Sequence, residues 1–560
     1  MMRRPVVILL LGACLAGSAC QRSPAPGDAA PAASTAAQTP RPANDTAAGQ
    51  RIEADVRALA DDAMQGRETG TPGYDRAAEH VAARFAELGL QPAGDDGSWF
   101  QTVPLLKAQV ELEGARLEIV RDGRTTALEP GVQFLPSANF NRPESAIEAP
   151  AVFVGQAVHA PELGHDDFAG LDLDGRIAVV FGGAPSSFAD TQRAFHSSWQ
   201  EKLRNIVERG AVGAVYVNSS DDQVRYPWSQ AVQNAAKPAM RLRDADGRGI
   251  HTWPQLRAIA VVNATAADAL FAGGERPAAR LFEAARAGEL KGFALPGTLR
   301  LAGRTRIEPL QSRNVVASLP GTDPALAGEH VVYTAHLDHV GTGAEVEGDG
   351  IYNGALDNAL GVAIMLEAAR ELAEAGAPRR SMTFVALTGE EKGLLGSEWF
   401  ARHPSVPGRL VANINMDMPV LTAPTTDVVA IGVEHSSLKA ALETAAREVG
   451  VELSPDPFPE ETMFVRSDQY PFVRAGVPAV YLVGGVVAAN PEQDPRRATT
   501  WFLRNCYHRP CDQADLPIHY GDAARLATLN ARIGRVVGDD AQPPAWNPGD
   551  FFGERFGRKD

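Results

Sequence analysis

The sequence predicts an α/β protein: a mixed, mostly parallel central sheet flanked by helices, interrupted by a β-rich insert. Three observations predict it. From residue 314 onward, apolar runs (VVASL, HVVYTA, MTFVAL, LVANINM and PAVYLV) alternate with helical spacing such as 359–373 and 435–449. Near-continuous apolar strands separated by amphipathic helices belong to a sheet covered on both faces. Between residues 111 and 303 the texture changes to short β runs, LEIV, AVFVG, RIAVVFGG and AVGAVYV, broken by the helix-like WQEKLRNIVERG. Ahead of that insert, 51–64 and 74–88 carry helical apolar spacing (Ile52, Val56, Leu59; Ala78, Val81, Phe85, Leu88), the second stopped by Gly89.

The chain begins with a segment that is not fold. Residues 1–20, MMRRPVVILLLGACLAGSAC, join two arginines, an apolar run and a small-residue stretch, which is the make-up of a secretory signal. Gly-Ser-Ala-Cys, ending at Cys20, resembles the lipobox of bacterial lipoproteins, whose cysteine is acylated. Cys14, after Leu-Gly-Ala, is a competing site, and plain secretion by cleavage near Ala19 is the alternative. The expected location is the periplasm or cell envelope, with membrane contact only through a lipid on Cys20. Residues 21–50 hold no Val, Ile, Leu, Met or aromatic residue and are expected to be a tether. Residues 51–110 and 304–540 then form one domain around the insert of 111–303, with 541–560 a C-terminal tail. At 560 residues the chain suits two to four domains, and its net charge of −16 argues against nucleic acid as a partner.

The insert offers no catalytic cluster. His165, Asp166 and Asp167 read as a polar turn, and His196 and His251 as isolated loop residues. Beyond the signal only Cys506 and Cys511 remain, in NCYHRPCD. Export favours a disulfide between them; a zinc knuckle is the rival, but it lacks a second cysteine pair. The bridge would enclose His508 and hold it still.

In α/β folds, ligands bind beyond the carboxyl ends of the strands. HVVYTA is followed by His336-Leu337-Asp338-His339, and GDGIYNGAL by Asp357-Asn358. MTFVAL is followed by Glu390 and Glu391, LVANINM by Asp417, and His508 stands near the end of the chain. Alone, each reads as a cap or an inert histidine. Together, two imidazoles and three carboxylates over-supply one tetrahedral zinc, but suit two ions sharing a bridging carboxylate. A further Glu is then free to act as general base on a water that the ions activate.

The motifs AHLDH, GALDN, TGEEKGLLGS, NMD and CYHRPCD resemble the di-zinc exopeptidases of the bacterial leucyl aminopeptidase type, relatives of glutamate carboxypeptidase and the transferrin receptor. The resemblance covers about residues 51–105 and 306–540. DDFAGLDLDGRIAVV and IVERGAVGAVYVN resemble the protease-associated domain inserted in many of these enzymes. The resemblance implies two Zn2+ per chain and peptide substrates. His336 and Asp417 would be terminal ligands of one zinc, Glu391 and His508 of the other, and Asp357 would bridge both. Asp338 would orient His336 through its carboxylate, Glu390 would be the base, and Tyr507 would hydrogen-bond the tetrahedral oxyanion. It also implies a Cys506–Cys511 disulfide and a cis Asp357–Asn358 peptide. Leu360 stands where the family commonly has Ser. The leading function is an aminopeptidase. A glutamate-type carboxypeptidase, a glutaminyl cyclase and a receptor-like binding protein are the rivals.

Overall fold

The computed structural model describes residues 46–558 except 226 and 275. The expected signal, Cys20 and the tether up to residue 45 lie outside the described residues. Helix α1 (Ala47–Leu59) begins within the stretch expected to be tether, because Thr46 caps it: its hydroxyl accepts the Gly49 amide. Helix α2 (Pro72–Glu87) starts the same way from Thr71, with Pro72 in its first turn. Both bury the apolar stripes read from the sequence, Ile52, Val56 and Leu59 on α1 and Tyr74, Val81 and Phe85 on α2.

Strand β1 (Phe100–Arg121) leads into the insert. There β2 (Phe134–Pro136), β3 (Glu144–Phe153) and β4 (Ile177–Phe181) precede helices α3 (Asp190–Ser197) and α4 (Trp199–Val207). Strands β5 (Gly213–Val217) and β6 (Ala258–Val262) and helix α5 (Ala278–Ala287) follow, and β7 (Phe293–Leu319) leads back out. The insert is α/β rather than a purely β module, since β3, β4, β5 and β6 run parallel in that order. Rings of Phe153, Phe181, Phe271, Phe282 and Phe293 fill its core. Strands β1 and β7 pair antiparallel from Phe100↔Val315 to Val120↔Thr298, so the boundary near residue 110 falls inside a continuous strand.

After β7 come β8 (Glu329–His336), α6 (Leu360–Glu374), β9 (Ser381–Leu387), β10 (Arg409–Asn415) and β11 (Asp427–Ile431). Next are α7 (Leu438–Val449), β12 (Glu452–Ser454), β13 (Ala479–Gly484), α8 (Pro495–Asn505), α9 (Tyr520–Asp539) and α10 (Phe551–Phe556). The sheet order is β12-β11-β13-β10-β8-β9-β7-β3-β4-β5-β6-β2, with β7 joining its two halves. Strands β9, β8, β10 and β13 are parallel, flanked by antiparallel β7 and β11. Helices α1, α2, α6, α7 and α9 cover one face, and Phe400 and Phe472 pack on the other. With both faces covered, every residue of β9 is buried, which is why it reads as an unbroken apolar run. Each large apolar side chain so buried contributes roughly 1.5–3 kcal/mol.

Two sequence expectations change. The last stretch is not a free tail: Phe552 of α10 is fully buried with Val429, Ile431, Phe464 and Tyr470. Phe195 of the insert joins that cluster, with the Arg555 guanidinium 4.1 Å from its ring centre. Nor is His251 isolated, since its Nε2 lies 2.7 Å from a Glu398 oxygen, tying the insert to the helix after β9. His165 and Asp167 do form a polar turn, in which Asp167 accepts from His165 and from the Gln156 and Val158 amides.

Candidate active site

Parallel strands end together, so whatever follows β8, β9 and β10 shares one edge of the sheet. His336 closes β8, with Glu390 and Glu391 three and four residues past β9, and Asp417 two past β10. Asp357 sits in the tight turn before α6, where the Asp357–Asn358 peptide is cis. The Asn358 side chain ties that turn to the neighbouring loops. Its Oδ1 accepts the Gly361 and Met418 amides, and its Nδ2 donates to Met416 O at 3.0 Å. Leu360, the departure from the family pattern, is fully buried in the helical layer.

His508 arrives from the far end of the chain. Cys506 and Cys511 are disulfide-bonded, with Cα atoms 5.1 Å apart, and the enclosed Tyr507 and His508 rings lie 3.9 Å apart between centres. His508 Nε2 stands 3.2 Å from Asp357 Oδ2 and 3.1 Å from Glu391 Oε2. His336 Nε2 stands 3.3 Å from Asp357 Oδ1 and 3.0 Å from Asp417 Oδ1. Two groups result, His336 with Asp357 and Asp417, and His339 with Asp357, Glu391 and His508, each with its ligand atoms within 4.8 Å of one another. Donors around a tetrahedral zinc with arms of 2.0–2.2 Å stand about 3.3–3.5 Å apart, so nitrogen and oxygen donors at these spacings fit zinc.

The electrostatics follow from packing acids among imidazoles. Burial alone would lift Asp357, but the imidazoles of His339, His336 and His508 hold it well below the usual carboxylate range. Burial would depress His508, yet Glu391 and Asp357 raise it to about 10. Burial, with Asp417, Glu391 and Asp468 adding, pushes Glu390 well above the usual glutamate range despite the pull of His336. Glu391, its neighbour, is held far below that range: burial opposes, but His508 and His339 outweigh it. The adjacent glutamates thus differ sharply in proton affinity.

Asp338 needs correcting. Its carboxylate does not reach the His336 ring; it accepts the Glu390 amide at 3.1 Å, the Glu391 amide at 3.3 Å and the Thr69 hydroxyl at 2.9 Å. The His336 Nδ1–H donates instead to the main-chain carbonyl of Asp338 at 3.0 Å, which turns Nε2 toward Asp357 and Asp417. The strand geometry explains it: the carboxylate two residues past His336 faces the β9 loop.

Three supporting residues escaped the sequence reading. Arg67, fully buried, donates to the carbonyls of Leu337, Leu59, Asn353 and Gly354, fastening the loops of His336 and Asp357 together. Asp512 accepts the Leu356 and Asp357 amides at 2.8 and 3.0 Å. Ser467 Oγ donates to Asp417 Oδ2 at 2.6 Å, at the end of a buried chain running Asn413, Thr334, Asn415, Ser467. His339, named after HVVYTA but given no role there, joins the His508 group. Asp512 closes the CYHRPCD motif and Ser467 lies in VRSDQYPF, so both stood in view; Arg67 in QGRETG reads as a solvated loop.

Residues 314–533 match peptidase family M28. This segment is an M28 peptidase domain. The M28 domain therefore runs from within β7 into α9 and contains every residue of the two groups. Probable zinc metalloproteases of Pyrenophora teres f. teres (strain 0-1) and Pyrenophora tritici-repentis (strain Pt-1C-BFP) are each 34% identical over 113 residues, 20% of this chain. The matched stretch spans only 23% and 25% of those relatives' lengths. The fold is similar to that of an aminopeptidase from Aneurinibacillus sp. strain AM-1, with a TM-score of 0.52 and 20% identity. That likeness covers 91% of this chain and 98% of the other, so it runs through the insert as well as the M28 domain.

Proposed function

We propose that this protein is an exported zinc exopeptidase that removes residues from the N-termini of peptides. The observation that carries the reading is Asp357, which offers Oδ1 beside His336 and Oδ2 beside His508. In this reading two ions would share Asp357, with His336 and Asp417 holding one and Glu391 and His508 the other. The zinc pair, when bound, supplies the Lewis acidity that activates a water at neutral pH and polarises a carbonyl.

The chain's own residues do the rest. Glu390 takes a proton from the attacking water and returns it to the leaving amine, a task suited to a carboxylate whose proton affinity its surroundings raise. Tyr507, beside His508 in the disulfide clasp, donates a hydrogen bond to the oxyanion as it develops. Asp338 fixes the backbone of both glutamates, and Ser467 fixes Asp417. The Aneurinibacillus structure, an aminopeptidase, supports the choice of the N-terminal end of the substrate. The signal and Cys20 support export to the periplasm or envelope with a lipid anchor.

The test is a panel of amino-acyl p-nitroanilides set beside N-blocked peptides and peptides ending in glutamate. Hydrolysis of the free-amine substrates alone is expected. Release of C-terminal glutamate, or indifference to N-blocking, would replace the aminopeptidase reading with a carboxypeptidase or an endopeptidase.

A further inference from the structure

His339 stands among the ligand atoms of the His508 group, yet it engages a different oxygen of Glu391. The ring is fully buried. Its Nδ1 lies 2.8 Å from Glu391 Oε1, whereas His508 Nε2 faces Oε2 at 3.1 Å. From Asp357 Oδ2 the same Nδ1 is 3.7 Å away, against 3.2 Å for His508. His508 thus sits at similar distances from both carboxylates, as one donor among three would, and His339 sits against one oxygen only.

A neutral ring carries one hydrogen: His336 donates from Nδ1 to Asp338 O and so leaves Nε2 bare, whereas in His339 only Nδ1 has a partner, Oε1 of Glu391, so Nδ1 carries the hydrogen. A nitrogen that carries hydrogen donates and does not ligate. The other ring nitrogen, Nε2, is buried without a hydrogen-bond partner and turned away from Glu391. The ring is held there by its surroundings. Its backbone amide donates to Arg67 O, and Gly354, at φ +63°, leaves the space the ring occupies: a Cβ there would lie 2.6 Å from His339 Cδ2 and Cγ.

We infer that His339 is a positioning residue: its Nδ1–H holds Oε1 of Glu391 out of the metal's reach, so that Glu391 offers a single oxygen, Oε2, beside His508. The arrangement mirrors the other group, where the Ser467 hydroxyl occupies Asp417 Oδ2 and leaves Oδ1 beside His336. Each end carboxylate is thereby limited to one oxygen, which keeps a coordination position free for water or substrate. This rests on the two-ion reading above.

The experiment exploits two amides. Asn at this position puts an N–H where Nδ1–H stands; Gln reaches toward the Nε2 position instead. Zinc affinity is measured for each ion by chelator competition on wild type, His339→Asn and His339→Gln. Visible spectra of the cobalt-substituted proteins report coordination, and thermal melts of the metal-free proteins report folding. His339→Asn is expected to keep both affinities and the cobalt spectrum, whereas His339→Gln weakens one ion about 10–100-fold, leaves the other unchanged and alters the spectrum. If His339→Gln does not fold, His339→Ala, which offers no N–H to Oε1, takes its place and is expected to weaken the same ion. Loss of an ion from His339→Asn would make the ring itself a ligand and overturn the inference, as would wild-type behaviour in both variants. A wild type that binds fewer than two ions fails the underlying reading instead, and the inference with it.

Discussion

At the scale of single residues, the proposed function gives the adjacent Glu390 and Glu391 different jobs. Glu390→Gln keeps size and hydrogen bonding but removes the proton acceptor. Its kcat is expected to fall ~10²–10⁴-fold with bound zinc unchanged. Glu391→Gln is expected to lose one ion and to regain part of its activity in excess zinc. Steady-state kinetics with metal analysis of both variants checks this; metal lost from Glu390→Gln and kept in Glu391→Gln would reverse the roles. His336, Glu391 and Asp417 stood out as candidate ligands because each follows an apolar run at a predictable place, and the motifs GALDN and CYHRPCD pointed to Asp357 and His508. The residues that support them did not stand out. Arg67 is a charged residue whose partners are all main-chain carbonyls, and a sequence does not display carbonyls. The Asp338 carboxylate was assigned to the wrong partner for the same reason, since its true partners are two backbone amides and a hydroxyl from 269 residues upstream.

At the scale of elements, the helices and the parallel strands after residue 314 were legible from period alone, to within three residues at their starts for 359–373 and 435–449. The insert was harder. Its strands β3, β4 and β5 read as β, but β6 was not singled out, and their parallel order depends on pairings that local pattern does not encode. Helix α4 carries a feature of its own: Lys202 is buried, donates to the Gln156 and Gly183 carbonyls, and is pushed down to about 7 by burial, against the attraction of Asp167. Below pH 7 the folded insert holds a buried ammonium at full cost. As pH rises from about 7 toward 10.5 the folded state releases a proton that the unfolded chain keeps, so stability rises with pH over that window. Lys202→Met removes the effect. Between pH 7 and 9 the wild type is expected to gain about 2 kcal/mol relative to Lys202→Met, at about 1.4 kcal/mol per unit. Parallel denaturation profiles for the two proteins across that range would contradict it.

At the scale of the whole molecule, the M28 domain, the insert and the C-terminal helix share one cluster, in which Phe195, Phe464, Tyr470 and Phe552 meet. That meeting was not legible, because the last twenty residues are rich in Pro, Gly and charge, and these separate Trp546, the pair Phe551-Phe552 and Phe556. Phe552→Ala is expected to cost ~3–5 kcal/mol by chemical denaturation, as for any large buried ring; an unchanged midpoint would return the segment to a free tail. The central claim is that Asp357 joins two metal groups into one catalytic centre, and counting zinc tests it most directly. Purified protein, dialysed against trace zinc and measured by elemental analysis, is expected to hold two ions per chain and to lose activity when chelators remove them. One ion or none per chain, with activity indifferent to chelators, would contradict the account.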